Sequence, residues 1–304
     1  TTRISGNVIY YDDFTAHEHR ETQRSGKGGG VKSTTITYTY TAAVIMGLCE
    51  GPIKGIGRVW IDKELYQYPS EKIGMTLYSG TADQQPWPYV VGKHPEKALP
   101  YTGLAYMAGV IDLGNNASLP NFNFEVQGKL LDTGDGVDVN PADYIRYILD
   151  KVGLQEVEIV GLENYRKYCH ESDFLISTPA DYTSAKTARD IVNEIASLTN
   201  AYMFWSNDRF KIVPRADRPV GEWQPDKQIV YNLTADDFLE QSNGACVTYS
   251  RKDSSELYNR FTVEFYNREN AYEKESVSYE DSENIADYGL RQASTTAAHY
   301  IYTK

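Results

Sequence analysis

The chain is poor in cysteine, in basic charge and in long apolar runs, and each shortage closes a route. Three cysteines, Cys49, Cys169 and Cys246, stand far apart in 304 residues and form no CxxC pair. An odd, scattered set argues against a disulfide framework and against a zinc site. Lys and Arg number 30 against 42 Asp and Glu, for a formal net charge of −12. General nucleic-acid binding needs a basic footprint that this balance does not supply. No apolar run reaches the roughly 18 residues that a membrane-spanning helix needs. The opening Thr1-Thr2-Arg3-Ile4-Ser5-Gly6 lacks an initiator Met and a signal-peptide h-region. The chain is therefore expected to be trimmed or cut from something longer.

Tyrosine is what the chain has in excess, 25 against 9 Phe and 4 Trp. A Tyr ring packs while its hydroxyl stays wet, which suits strand surfaces and also partner-facing surfaces. The pattern along the chain reads as mainly β with α+β. Residues 1–33 hold a strand-like run, Ile4 to Tyr11, and a polar, Gly-rich arm over 21–33. A phosphate cradle needs a helix after the glycines, and here the β-branched and aromatic Thr34 to Tyr40 follows. Residues 34–131 read as all-β: the apolar run Ala42 to Leu48, a strand to Ile61, a turn at Asp62-Lys63, a second apolar run Tyr101 to Leu113, and the alternating Asn121 to Val126. A linker follows at 132–136. Residues 138–216 read as α+β, with Asn140 as N-cap, Pro141 at the first helical position, and Gly153 as the stop. A second helix spans Ser184 to Thr199, and a hairpin turns at Ser206-Asn207-Asp208. Residues 229–304 return to β, with Asn259 to Tyr266 as the strongest strand. This last region holds only part of a core, so the chain is expected to continue past Lys304.

Candidate chemistry is thin. His17-Glu18-His19 would place two imidazoles on one strand face, but no third ligand is near, and the run reads as solvated. Asp132, Asp135 and Asp138 resemble part of a calcium loop, yet no helix precedes them, so they read as linker. Cys169 and His170, as strand neighbours, would point to opposite faces, which is poor geometry for a thiolate–imidazole pair. Asp12-Asp13 and Glu280-Asp281-Ser282-Glu283 offer paired carboxylates that read as solvated surface. No catalytic residue, cofactor site or metal site is expected.

One run is distinctive: Ala43 to Ile53, with Cys49-Glu50-Gly51-Pro52-Ile53 at its end, continuing through Gly55, Gly57 and Trp60 to Asp62. It resembles a hallmark of phage tail tip and baseplate hub proteins, a family that includes the gene transfer agent hub and, more distantly, the lambda tail tip J protein. Gly6 to Tyr11 with the following arm, Leu119 to Gly128, the Asn140-Pro141-Ala142-Asp143 helix start and the Asn259-Arg260 strand resemble further family motifs in the same order.

The resemblance implies a trimeric ring joining tail tube to tip. Two related β-barrel-like hub domains per subunit, 34–131 and 229–304, would form the ring, and 138–216 would be a smaller peripheral α/β domain. Implied partners are other copies of the chain, the distal tail protein, the tape measure protein and other tip proteins, with DNA only passing through the lumen. The implied location is the virion, assembled in the host cytoplasm. The rival readings are a tail-associated cell-wall hydrolase and a carbohydrate- or receptor-binding β module.

Overall fold

The computed structural model describes residues 1–12, 14–24, 32–116, 118–129, 135–177, 186–226, 231–239, 247, 249–253 and 256–303. The chain divides into two units, one of Thr1–Val139 with Thr178–Ala185, the other of Asn140–Ser177 with Lys186–Lys304.

In the first unit the strands are β1 (Thr2–Ser5), β2 (Asn7–Tyr11), β3 (Thr15–Arg24), β4 (Lys32–Glu50), β5 (Gly55–Ile61), β6 (Glu64–Gln67) and β7 (Met75–Tyr78). A short helix α1 (Pro88–Lys93) precedes β8 (Leu104–Gly114) and β9 (Phe122–Gln127). They build two sheets, ordered β1-β9-β5-β6 and β2-β4-β8-β7, with β3 also paired to β4. Ile4, Val59, Phe124 and Val126 of the first sheet share one buried cluster with Val44, Met46, Met107 and Ile111 of the second. The two sheets are thus packed face to face as a sandwich.

The apolar run in β4 does not alternate, because both of its faces are covered. Val44 and Met46 enter the sandwich core. Ile45, one residue out of phase, joins Tyr106, Ala108 and Val90 in a second cluster, flanked by Tyr10, Tyr78, Trp87 and Tyr101. Tyr78 and Tyr106 stack at 4.5 Å between ring centroids. The Pro- and Trp-containing segment at 84–100 therefore carries α1 as a lid on this outer face.

In the second unit α2 (Pro141–Lys151), β10 (Ile159–Val160), α3 (Leu162–Glu171), α4 (Ala188–Leu198), β11 (Ala201–Ser206) and β12 (Arg209–Pro214) form an α+β assembly. The sheet order is β10-β12-β11. Tyr144, Ile145, Leu149, Tyr165, Val192 and Ile195 on the helices are buried together with Ala201 and Ile212 on the sheet. Asn207 and Asp208 both take positive φ, 55° and 57°, as a two-residue hairpin turn demands. Trp223 is buried and donates its indole N–H to Asn164 Oδ1 at 2.9 Å. The unit continues with β13 (Arg260–Asn267), β14 (Glu273–Glu280), α5 (Ser282–Tyr288) and β15 (Thr296–Ala297), in the sheet order β14-β13-β15.

The fold is mainly β. Among the described residues no sheet closes on itself: each order ends in an edge strand, so open sheets stand where barrel-like domains were expected. Residues 21–24 and 32–33 of the expected arm are strand, while 25–31 lie outside the described residues, as do Asp13, Asp132 and Cys246. Cys169 and His170 sit on helix α3, not on a strand. Its stripe of Tyr165, Tyr168 and Cys169 is buried, so Cys169 points inward while His170 is exposed.

Candidate functional site

The distinctive motif closes β4 and turns the chain into β5. The Gly51 N–H donates to the Gly103 carbonyl at 2.8 Å, and that of Ile53 to the Ser79 carbonyl at 2.9 Å. A Cβ at Gly51 would lie 2.6 Å from the Ser79 oxygen and 2.7 Å from Gly80 Cα, so two backbones cross here with no room for a side chain. Buried Gln84 braces the crossing. Its Oε1 accepts from the Gly80 N–H at 2.7 Å, and its Nε2 donates to the carbonyls of Pro100, Tyr101 and Leu104. The Gly51-Pro52 bond is cis, Ile53 is in the sandwich core, and burial followed by the charge of Glu50 pushes the Cys49 thiol up.

Gly57, Trp60 and Asp62 hold the next strand. A Cβ at Gly57 would sit 2.4 Å from Glu125 Oε2, and that carboxylate takes the Arg58 N–H at 3.0 Å and the guanidinium at 2.6 Å. Trp60 is buried, with the guanidinium of Arg3 at 4.5 Å and that of Arg58 at 5.3 Å from its ring. Asp62 turns at φ 53° and accepts the Asn121 N–H at 2.9 Å.

The remaining motif residues lie in the second unit. Asn140 Oδ1 accepts from the Ala142 N–H at 2.9 Å, capping α2, with Pro141 as its first residue. Asn259 is buried, donates to the Gly289 carbonyl at 2.7 Å and accepts from the Arg291 N–H at 2.7 Å. Arg260 pairs with Glu280 at 2.5 Å. Within their own units these residues hold turns, crossings and caps. Gln84, which does as much, carries no sequence signal, since its partners are backbone groups; Glu125 lies inside the Leu119 to Gly128 motif, but its pairing with Arg58 is not legible there.

The exposed chemistry is similarly modest. His17 and His19 each bond a threonine across the strand pair, Thr41 at 3.0 Å and Thr39 at 2.8 Å. Among the described residues no three His, Cys, Asp or Glu side chains group to hold a metal, and no helix is long and apolar enough to cross a membrane.

One exposed built feature is the β3–β4 hairpin. Ten residue pairs, from Thr15 with Thr41 out to Arg24 with Lys32, form a two-stranded ribbon. One face carries Tyr40, Tyr38 and Ile36 opposite Ala16, Glu18 and Arg20; the other carries threonines opposite His17 and His19. β8 pairs with β4 only from Tyr40 inward. Among the described residues, then, no strand covers either edge of the ribbon beyond that point. Tyr38 and Ile36 are exposed, and Tyr38 donates to Glu18, which also pairs with Arg20.

Residues 187–303 match a family model described as "Putative phage tail protein". The whole chain aligns with a chain in the structure of a virion of a native gene transfer agent particle, at TM-score 0.64 and 19% identity. That alignment covers 100% of this chain and 67% of the other. At this identity the likeness is one of fold. No curated protein matches. The chain is thus similar to a phage tail protein family over residues 187–303, and to a virion component in fold.

Proposed function

We propose that the chain is a structural subunit of a phage-type tail tip or baseplate hub, forming a trimeric ring between tail tube and tip and carrying no catalysis. In this reading residues 34–131 and 229–304 are the two ring-forming β domains and 138–216 is peripheral. The distal tail protein, the tape measure protein and other tip proteins are its neighbours in the virion.

The observation that carries the reading is the bare hairpin. A two-stranded ribbon is at best marginally stable by itself in water, and a long uncovered strand edge invites pairing with another chain. An assembly contact supplies the cover that the described residues do not, and the Tyr38 and Ile36 face offers it apolar area. The family match and the fold shared with a virion component agree with this. A net charge of −12 per chain, multiplied around a ring, keeps phosphate from sticking to a lumen that DNA traverses.

Size measurement of the full-length protein, alone and with its distal tail partner, tests the reading. A ring of three copies is expected. A chain that stays monomeric under both conditions overturns it.

A further inference from the structure

Two exposed apolar sheet faces remain in the second unit, and their charges are opposite. On the hairpin of β11 and β12, register places Tyr202 opposite Val213 and Phe204 opposite Lys211 on one face. Tyr202, Phe204 and Val213 are all exposed, at 54%, 46% and 49%, so the helices cover only the other side. The Arg215 guanidinium lies 4.3 Å from the Tyr202 ring centroid. Rings interleaved with Lys211 and Arg215 make this face basic within a chain of net charge −12.

The second face belongs to β13 and β14. There Phe261 lies opposite Tyr279 and Val263 opposite Val277, and the same face continues to buried Phe265 opposite Glu275 and then to Glu273 at the strand's start. Phe261, Val263, Val277 and Tyr279 are exposed. At the other end Glu280 turns to the opposite face and pairs with Arg260, and Asp281 and Glu283 follow as the N-cap and first turn of α5. Among the described residues β14 is an edge strand, with β13 as its one neighbour.

We infer that these two faces are the two halves of one contact between copies of the chain: the basic aromatic face of β11–β12 seats on the acidic apolar face of β14 in the next copy. Two different patches on one molecule that fit each other make a head-to-tail contact, the type that closes into rings. Aromatic and Arg side chains are the groups that concentrate interface energy. The opposite charges fix which face meets which, because a face set against its own kind meets like charge. This inference rests on the ring reading above and adds the surfaces that join its copies.

The test is sedimentation of the full-length chain carrying charge exchanges. Lys211→Glu with Arg215→Glu alters one face. Glu273→Lys with Glu283→Lys alters the other, sparing Glu275, Glu280 and Asp281, which hold partners of their own. Each pair is expected to weaken self-association at least about tenfold, with thermal melting unchanged. All four together are expected to restore it, and high salt to weaken the wild-type assembly. Rings that persist in either double variant, or that fail to return in the quadruple one, overturn the contact and leave the ring reading standing. A wild-type chain that never assembles overturns both. A polyuronate probe that binds the wild type and not Lys211→Glu with Arg215→Glu, while rings are unaffected, assigns the basic face to an acidic glycan instead.

Discussion

The Glu125 carboxylate grips Arg58 twice, by its backbone N–H at 3.0 Å and by its guanidinium at 2.6 Å, through a gap that the glycine at position 57 leaves open. The pair is largely out of water, with side-chain exposures of 18% and 9%. Breaking such a pair costs more than forming it gains, since a lone charge stays behind.

Gly57→Ala drives a methyl into the carboxylate and is expected to lower stability by about 2–4 kcal/mol, as is Glu125→Ala. The double variant should cost little more than either alone, because both remove the same clamp. Urea midpoints at constant m-value check this.

Gln84→Leu keeps the volume of the residue but leaves the Gly80 N–H and the Pro100, Tyr101 and Leu104 carbonyls without their side-chain partner. A loss of roughly 2–3 kcal/mol is expected. Hydrogen exchange at the Gly80 amide should rise from protected to fast even where the global melting temperature falls only a few degrees.

Glu171 carries a pH dependence of known sign. The Glu222 N–H, at 2.7 Å, and then the His170 side chain hold its carboxyl below the ordinary value of 4.5. A carboxylate whose folded value is depressed contributes stability that is present above its unfolded value and lost as pH falls through the folded one. The Glu222 amide proton should therefore titrate with a midpoint below 4.5, tracked by its NMR shift. Glu171→Gln should abolish the titration.

Burial pushes the Cys169 thiol up to about 12, whereas Cys49 is only partly buried. In a Cys246→Ser chain, a thiol reagent at pH 8 should modify Cys49 in the folded state and reach Cys169 only on unfolding, at least about a hundredfold more slowly. Counting modified thiols with and without denaturant checks it.

Ala16 and Tyr40 face each other across the hairpin. Replacing residues 17–39 with Asn-Gly should close the two strands there by a tight turn. The sandwich should keep its melting temperature within a few degrees, since none of its core residues is removed. Ring formation, followed by sedimentation, should be lost.

Elements were legible where one residue type has one physical use. The Asp62-Lys63 turn, the Asn207-Asp208 turn and the Asn140-Pro141 cap could be read because positive φ or an orphan N–H demands such residues. The Ala42 to Leu48 run was legible as buried strand. β3 was not, because both of its faces meet solvent and no apolar alternation marks Thr15–Arg24. α3 was missed because its buried stripe is tyrosine and cysteine among charged residues, a weak periodic signal. The exposed faces of β11 and β14 look in sequence like any core strand, and only the fold shows which side is left open.

β4 runs unbroken for 19 residues, from the tip-proximal Lys32 to Glu50 at the motif, about 60 Å at the usual rise per residue. Tension applied at the ribbon's end would travel down this single strand to Met46 without meeting a turn that could unbend. The hydrogen bonds to β8 would then be loaded in shear, many at once, and could not peel apart in sequence. A pull on the ribbon would be resisted by the sandwich as a whole.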